Sequence, residues 1–478
     1  MKDAIKTSVF DMHDAVGLAE LVKSGEVSAS ELLDEAIERV EKADDALHLL
    51  SARDYDFAQE QIKKGLPEGP FTGVPFLRKD EGCEIEGLAT TAGLGILKEY
   101  KSTETRTLSK RYMQSGLVMM GATKVPPFCA TIDSDRAPYG ACLNPWDKTR
   151  TPGGSSSGAG AVVGAGALPM AHGNDGGGSL RIPAAWCGAF TMKPSRGRVH
   201  NGPVHTEGWM GFATEGTITR SVRDGAVSLD VIMGGETGVR CTAPAPARPY
   251  GEEINHPCRK LRIAVQEKTH FGTDFHPDHQ KGLSETVKLL ESLGHEVVAA
   301  APNIDPDRLS QVLYNCVAVN VDTVLQDIGV MRGKPVGDDE LEVFIRTWRG
   351  AAKGVTASEY ARITEVAMEE AYNFDLFMKD FDAVVSPTMT ELPLKIGEIY
   401  RHEADFDSFR THQNQYLAMT QVQNVTGQPA MSVPLHWTEA GMPVGMMFVG
   451  RYGDESTLFS LAAQLENAAP WWDRKALF

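Results

Sequence analysis

Two serine-bearing glycine clusters carry the most chemical promise in this chain. They are Gly153-Gly154-Ser155-Ser156-Ser157-Gly158 and Asp175-Gly176-Gly177-Gly178-Ser179-Leu180-Arg181-Ile182-Pro183, with their leading serines 24 residues apart. Glycine lets backbone come close to a ligand and adopt positive φ. A serine among glycines can be a nucleophile with backbone N–H donors beside it. Its hydroxyl needs a base, which histidine or lysine can supply. Lys79 ends the run Val74-Pro75-Phe76-Leu77-Arg78-Lys79. That places it at a strand end with a buried stem, where burial favours the neutral amine. An ordinary solvated strand terminus is the competing reading. Before Ser179, the N–H groups of Gly176, Gly177 and Gly178 can converge on one oxyanion. A tight helix-entry loop competes with that reading.

Other motifs weigh less. Gly154-Ser155-Ser156-Ser157-Gly158 fits G-x-S-x-G with Ser156 in the middle. That elbow follows a buried strand, whereas residues 144–152 are a polar loop with two prolines. The glycines of 158–164 have the wrong spacing for a dinucleotide loop, and no P-loop pattern occurs. His276-Pro277-Asp278-His279 reads as a capped helix start with no third ligand near, so no metal is expected.

The elements that must position these residues follow from periodicity. Residues 1–65 read as helices that pack on the core or form a subunit contact. Asp14 caps one helix that stops at Gly25, and Ser28-Ala29-Ser30-Glu31 is a capping box that starts the next. From about residue 71, short apolar runs alternate with amphipathic stretches. Strands are expected at 74–77, 117–125, 168–172, 261–265, 296–300, 383–386, 430–434 and 445–449, and helices at 279–293 and 358–381. This alternation argues an α/β fold with a mostly parallel or mixed sheet. No linker marks a boundary within 66–478, which reads as a single domain.

The bulk properties exclude several functions. Net charge is −17 with no basic run, so nucleic acid and anionic membranes are disfavoured partners. The longest apolar stretch, near 159–171, is too short to span a bilayer, and the N-terminus has no apolar signal core. Seven cysteines, with no C-x-x-C, argue against a disulfide framework or zinc site and for reduced thiols in a cytoplasmic protein.

Taken together, the blocks resemble the amidase signature family. The resemblance rests on Gly73-Val74-Pro75 through Lys79-Asp80, Asn144-Pro145-Trp146, the two serine clusters, Lys193-Pro194-Ser195-Arg196-Gly197, Asn424–Ala430 and Gly441–Gly445, all in order. The run Ala171-His172-Gly173-Asn174-Asp175-Gly176-Gly177-Gly178-Ser179 looks most like the branch containing 6-aminohexanoate cyclic dimer hydrolases. The resemblance implies a large mixed central sheet covered by helices on both faces. It also implies a Ser–cis-Ser–Lys triad, with Ser179 as nucleophile, Ser155 as a cis-peptide serine relaying the proton, and Lys79 as base. Gly176, Gly177, Gly178 and Ser179 would supply the oxyanion hole. Ser156, Asp175 and Arg181 would support the loops, since carboxylate–guanidinium hydrogen bonds fix glycine-rich segments.

The pocket would come from a variable region at about 300–420, with Tyr314 and Cys316 as candidate walls beside Val312, Val319 and the segment 406–416. The implied partner is a small amide, including cyclic or oligomeric ω-amino acid amides. No metal or cofactor is implied, and a homodimer is compatible. The alternative is a glutamine-hydrolysing amidotransferase-type subunit of a hetero-complex. Two departures stand out. Gly176 occupies a position where the family has Thr or Ile, and Gly121–Phe128 differs from the family's G-K-T-N-x-P-E-F pattern.

Overall fold

A computed structural model describes residues 8–476. Its described residues hold eleven strands in two sheets. The smaller sheet has β1 (Leu50–Arg53), β2 (Pro75–Lys79) and β3 (Val118–Thr123), in the order β1-β3-β2. The larger has β4 (Met170–Asp175), β5 (Phe190–Lys193), β6 (Thr214–Thr219), β7 (Arg262–Val265), β8 (Glu296–Ala299), β9 (Ala383–Pro387), β10 (Ala430–Trp437) and β11 (Pro443–Gly450). Its order is β4-β6-β5-β10-β11-β9-β7-β8. Only the β9-β7-β8 end is parallel, and the rest is antiparallel, so the sheet is mixed.

Period-two alternation sends side chains of the central strands to opposite faces. Val444, Met446 and Phe448 of β11 join one hydrophobic core, with Ile263, Val265 and Phe459. Met447 and Val449 join the other, with Ala264, Ile182 and Trp186. Both faces are therefore buried under helices, as the near-continuous apolar runs of these strands require.

All eight expected strands are present. Three were missed. Leu50–Arg53 falls inside the segment read as helical, and Phe190–Lys193 is only four residues long. Thr214–Thr219 carries one large apolar residue, Ile218, and is held by its pairing with β4 and β5. The N-terminal caps form as expected: Asp14 accepts from Gly17 N, and Ser28 and Glu31 make the reciprocal box.

The two serine loops each lead into a short helix. Ser157–Gly164 packs against Arg181–Cys187 through glycine. A Cβ on Gly160 would lie 2.7 Å from Pro183 Cβ, and one on Gly164 would lie 2.5 Å from the Cys187 carbonyl oxygen. Only a missing side chain permits so close an approach. This contact sets the distance between the two loops.

Candidate active site

Lys79 is the last residue of β2, and its side chain is fully buried. Its backbone N–H donates to His172 Nδ1 on β4 at 3.1 Å, which ties the small sheet to the large one. Its Nζ lies 2.8 Å from Ser155 Oγ and 2.5 Å from Asn174 Oδ1. The solvated-terminus reading of Lys79 is thus removed. The peptide bond Gly154–Ser155 is cis. Ser155 and Ser179 line one cavity of about 620 Å3, together with Asn174 and Gly176. Among hydrogen bonds of the described residues, Ser155 bonds Lys79 but not Ser179. Catalytic hydrogen bonds commonly tighten only once substrate is bound.

Asp175 and Arg181 lock the second loop. Asp175 Oδ1 accepts from Gly178 N at 2.7 Å and Arg181 Nη2 at 2.9 Å, and Oδ2 accepts from Arg181 Nε at 2.9 Å. Burial alone would raise the Asp175 carboxyl, but the Arg181 charge and its hydrogen bonds override that and hold it down at about 2. Arg181 also donates to Gln423 Oε1, the Thr420 carbonyl and Asn424 Oδ1. Ser156 Oγ donates to the Asn174 carbonyl at 3.3 Å.

The glycine donors need one correction. The Gly178 N–H, expected to face the oxyanion, is committed to Asp175. The N–H groups of Gly176, Gly177 and Ser179 have no partner among the described residues. Gly178 has φ +132°, and a Cβ there would meet Thr420 Oγ1 at 2.4 Å. Gly176 abuts the Trp209 ring, where a Cβ would lie 2.5 Å from Cε3 and Cζ3. Trp209 thus fills the space that a side chain at position 176 would occupy.

A narrow apolar cleft of about 40 Å3 runs from Ser179 between Ile132, Ile182, Leu313, Tyr314 and Trp348. Tyr314 accepts from Gln413 Nε2 at 2.9 Å and stacks on Trp348 with ring centroids 5.6 Å apart. Cys316 does not line either cavity at Ser179, so its expected place in the pocket is corrected. On helix Pro306–Arg332, positions 313, 314 and 317 share the face toward the serine. Cys316 turns into the core, where burial pushes its thiol up to about 12. A larger cavity of about 850 Å3 lies beyond helix Phe406–Leu417, lined by Asn414, Tyr416 and Arg410, and includes none of the three expected triad residues.

The other half of the site is acidic. Glu81, Glu84, Glu207 and Glu215 line the wide cavity. His172 Nδ1 accepts from the Lys79 backbone, so its Nε2 carries the proton shared with Glu215 at 3.0 Å. Burial above all keeps His172 neutral with its pKa near 3. Burial, and then the Glu81 charge, raises the Glu215 carboxyl to about 8. Glu81, Glu215 and Trp209 escaped the reading from sequence, and His172 and Asn174 stood there only within the run beginning at Ala171 that resembles the family, with no role assigned.

With this geometry in hand, comparison with known proteins is decisive. The Amidase family model matches residues 31–459. The chain belongs to the amidase family. This amidase is 34% identical to the 6-aminohexanoate-cyclic-dimer hydrolase of Paenarthrobacter ureafaciens, over 97% of this chain and 96% of that protein. It is 32% identical to the putative amidase AmiC of Mycobacterium leprae, over 96% and 95% of the two chains. A solved structure of 6-aminohexanoate cyclic dimer hydrolase complexed with substrate superposes with a TM-score of 0.93 at 32% identity, covering 98% of this chain and 99% of that one. The amidase is an enzyme that hydrolyses amide C–N bonds. Among its described residues, no helix is long and apolar enough to cross a membrane.

Proposed function

We propose that this amidase hydrolyses a small neutral amide through an acyl-enzyme on Ser179. The observation that carries the reading is the 2.8 Å contact between Lys79 Nζ and Ser155 Oγ, in the wall of the cavity that also holds Ser179. Neutral Lys79 takes the Ser155 proton while Ser155 takes the Ser179 proton and Ser179 Oγ attacks the amide carbon. The N–H groups of Gly176, Gly177 and Ser179 hold the developing oxyanion, and each such donor is worth roughly 10²–10³ in rate. The proton returns through Ser155 to the departing nitrogen. Water then attacks the ester, giving a proton through Ser155 to Lys79, and that proton returns through Ser155 to Ser179 Oγ as its bond to the acyl carbon breaks.

Cyclic or oligomeric ω-amino acid amides are the proposed substrate class. The near-complete coverage of the two cyclic-dimer hydrolase comparisons supports it. So does the shape of the site, an apolar cleft on one side of Ser179 and a wide polar cavity on the other. Seven unpaired thiols support a cytoplasmic setting. A panel of linear, cyclic and aryl amides, run with wild type and Ser179→Ala, tests the class. Turnover of the 6-aminohexanoate cyclic dimer by wild type alone is expected. Turnover confined to aryl amides would overturn the substrate assignment.

A further inference from the structure

An amine acts as a base only when its lone pair faces the proton it takes. The surroundings of Lys79 dictate that direction. Asn174 Oδ1 lies 2.5 Å from Lys79 Nζ, and Asn174 Nδ2 donates to Glu81 Oε2. An ionised carboxylate only accepts hydrogen bonds, so Asn174 must turn its NH2 toward Glu81 and its carbonyl oxygen toward Lys79. That carbonyl also only accepts, so Lys79 must direct an N–H at it. The Nζ lone pair is then left for Ser155, 2.8 Å away. A flipped Asn174 amide would place its NH2 against Nζ and block the lone pair.

We propose that Glu81 and Asn174 form a positioning pair that orients the Lys79 amine toward Ser155. The inference rests on the reading of Lys79 as the base. In the acylation step the proton leaving Ser155 forms a third N–H on Nζ, while the N–H to Asn174 is kept. The same proton later goes back through Ser155 to the leaving nitrogen, so the pair gains and loses nothing.

Several other titratable groups surround Lys79. Asp80 follows it on the chain and is occupied by Thr91, His172 faces it from β4, Glu215 lies behind His172 on β6, and Cys129 approaches from the turn Pro127–Cys129. His172 is neutral at working pH and the Cys129 thiol is pushed up to about 12, chiefly by burial. Glu215, at about 8, and Asp80, at about 6, both raised chiefly by burial, contribute their own limbs to a pH profile. Among the side-chain hydrogen bonds of the described residues, only Glu81 meets the amide that meets the amine.

The test is the pH dependence of Ser179 labelling by a fluorophosphonate, which needs an activated serine but no known substrate. Asn174→Asp keeps an acceptor at Nζ and adds a charge, so the acid limb of the labelling rate should move up by about one pH unit or more. Glu81→Gln removes a charge and lets the amide flip. Its plateau should fall by about fivefold or more, and its acid limb should move down. Asn174→Leu should lower the plateau by about tenfold or more with no change in reagent affinity.

Equal losses at every pH, with no movement of either limb, would reduce the pair to a structural role and overturn the inference. Wild-type rates in all three variants would overturn it as well. So would a Glu81→Gln effect confined to reagent affinity, because Glu81 would then be a binding residue. Lys79→Met separates the two levels. If it labels as fast as wild type, the base assignment itself fails.

Discussion

Asp175 is wholly removed from water yet stays ionised, because Arg181 meets both of its carboxylate oxygens. Breaking a buried pair on one side leaves an uncompensated charge and costs about 3–5 kcal/mol. Asp175→Asn should therefore lower the melting temperature at neutral pH by several degrees and distort the Ser179 loop. The pH sign follows from the depressed carboxyl, near 2 in the folded protein against about 3.9 unfolded. The pair stabilises the fold fully above about pH 4, and that contribution fades as pH falls toward 2. The amide of the variant has no such titration, so the gap between wild type and variant should close on acidification. Melting curves from pH 7 to pH 3 check this, and a gap that widens in acid would contradict it.

Gly176 gives a second prediction at the same scale. Its backbone donor survives any side chain, but Trp209 leaves no room for one. Gly176→Ala should cut kcat by about tenfold or more through displacement of the oxyanion donors. Adding Trp209→Ala should restore part of the loss. Gly177→Ala, whose Cβ would meet only Leu313 Cδ2 at 3.6 Å, should be far milder. Steady-state kinetics on the three variants decides. Equal losses for Gly176→Ala and Gly177→Ala would show that Trp209 is not the obstacle.

At the scale of elements, the catalytic loops are spaced by the contact between helices Ser157–Gly164 and Arg181–Cys187. A methyl group on Gly164 has the Cys187 carbonyl at 2.5 Å, a backbone atom that cannot swing aside. Overpacking of this kind costs roughly 1–3 kcal/mol. Gly164→Ala should lower both stability and kcat, since the helices must part and the serines ride on their N-termini. Unchanged kcat alongside a lowered melting temperature would show that the loops are spaced by other contacts.

The motif residues of these helices were readable from sequence because glycine and serine recur at telling positions. Their partner elements were not. Strand β6 lacks the apolar alternation that identifies strands, and Glu215 within it looked like any surface carboxylate. Trp209 sits in a three-residue turn with no periodicity at all. Tyr314 and Cys316 were both expected as pocket walls, and only Tyr314 lines a cavity at Ser179, because a helical phase is fixed by packing rather than by residue type. The Gly178 N–H was misassigned for a related reason. Sequence shows that a donor exists, but not that Asp175, three residues earlier, already holds it.

At the scale of the whole molecule, the class of fold followed from alternating strands and helices, and the two cores on opposite faces of the large sheet bear it out. The N-terminal helices are bound into that body. Buried Asp224 accepts from Ala15 N at 2.8 Å and Val16 N at 3.0 Å, and Asp14 pairs with Arg223. Asp224→Ala leaves both donors without a partner, at a cost of about 1–3 kcal/mol each. Thermal melting should show the loss, while KM stays near wild type because Asp224 lines neither cavity at Ser179. A changed KM with unchanged melting would contradict this assignment.

The joining of small sheet, large sheet and glycine helices has one purpose in this account, the meeting of Lys79, Ser155 and Ser179. The most direct measurement is peptide mapping by mass spectrometry after quenching the enzyme during turnover of a slow amide, in wild type, Ser155→Ala and Lys79→Met. The expected result is an acyl group on Ser179 in wild type, with its formation slowed by about 10³-fold or more in both variants. An acyl group on Ser155 or Ser156, or undiminished acylation of Ser179 without Lys79, would contradict it.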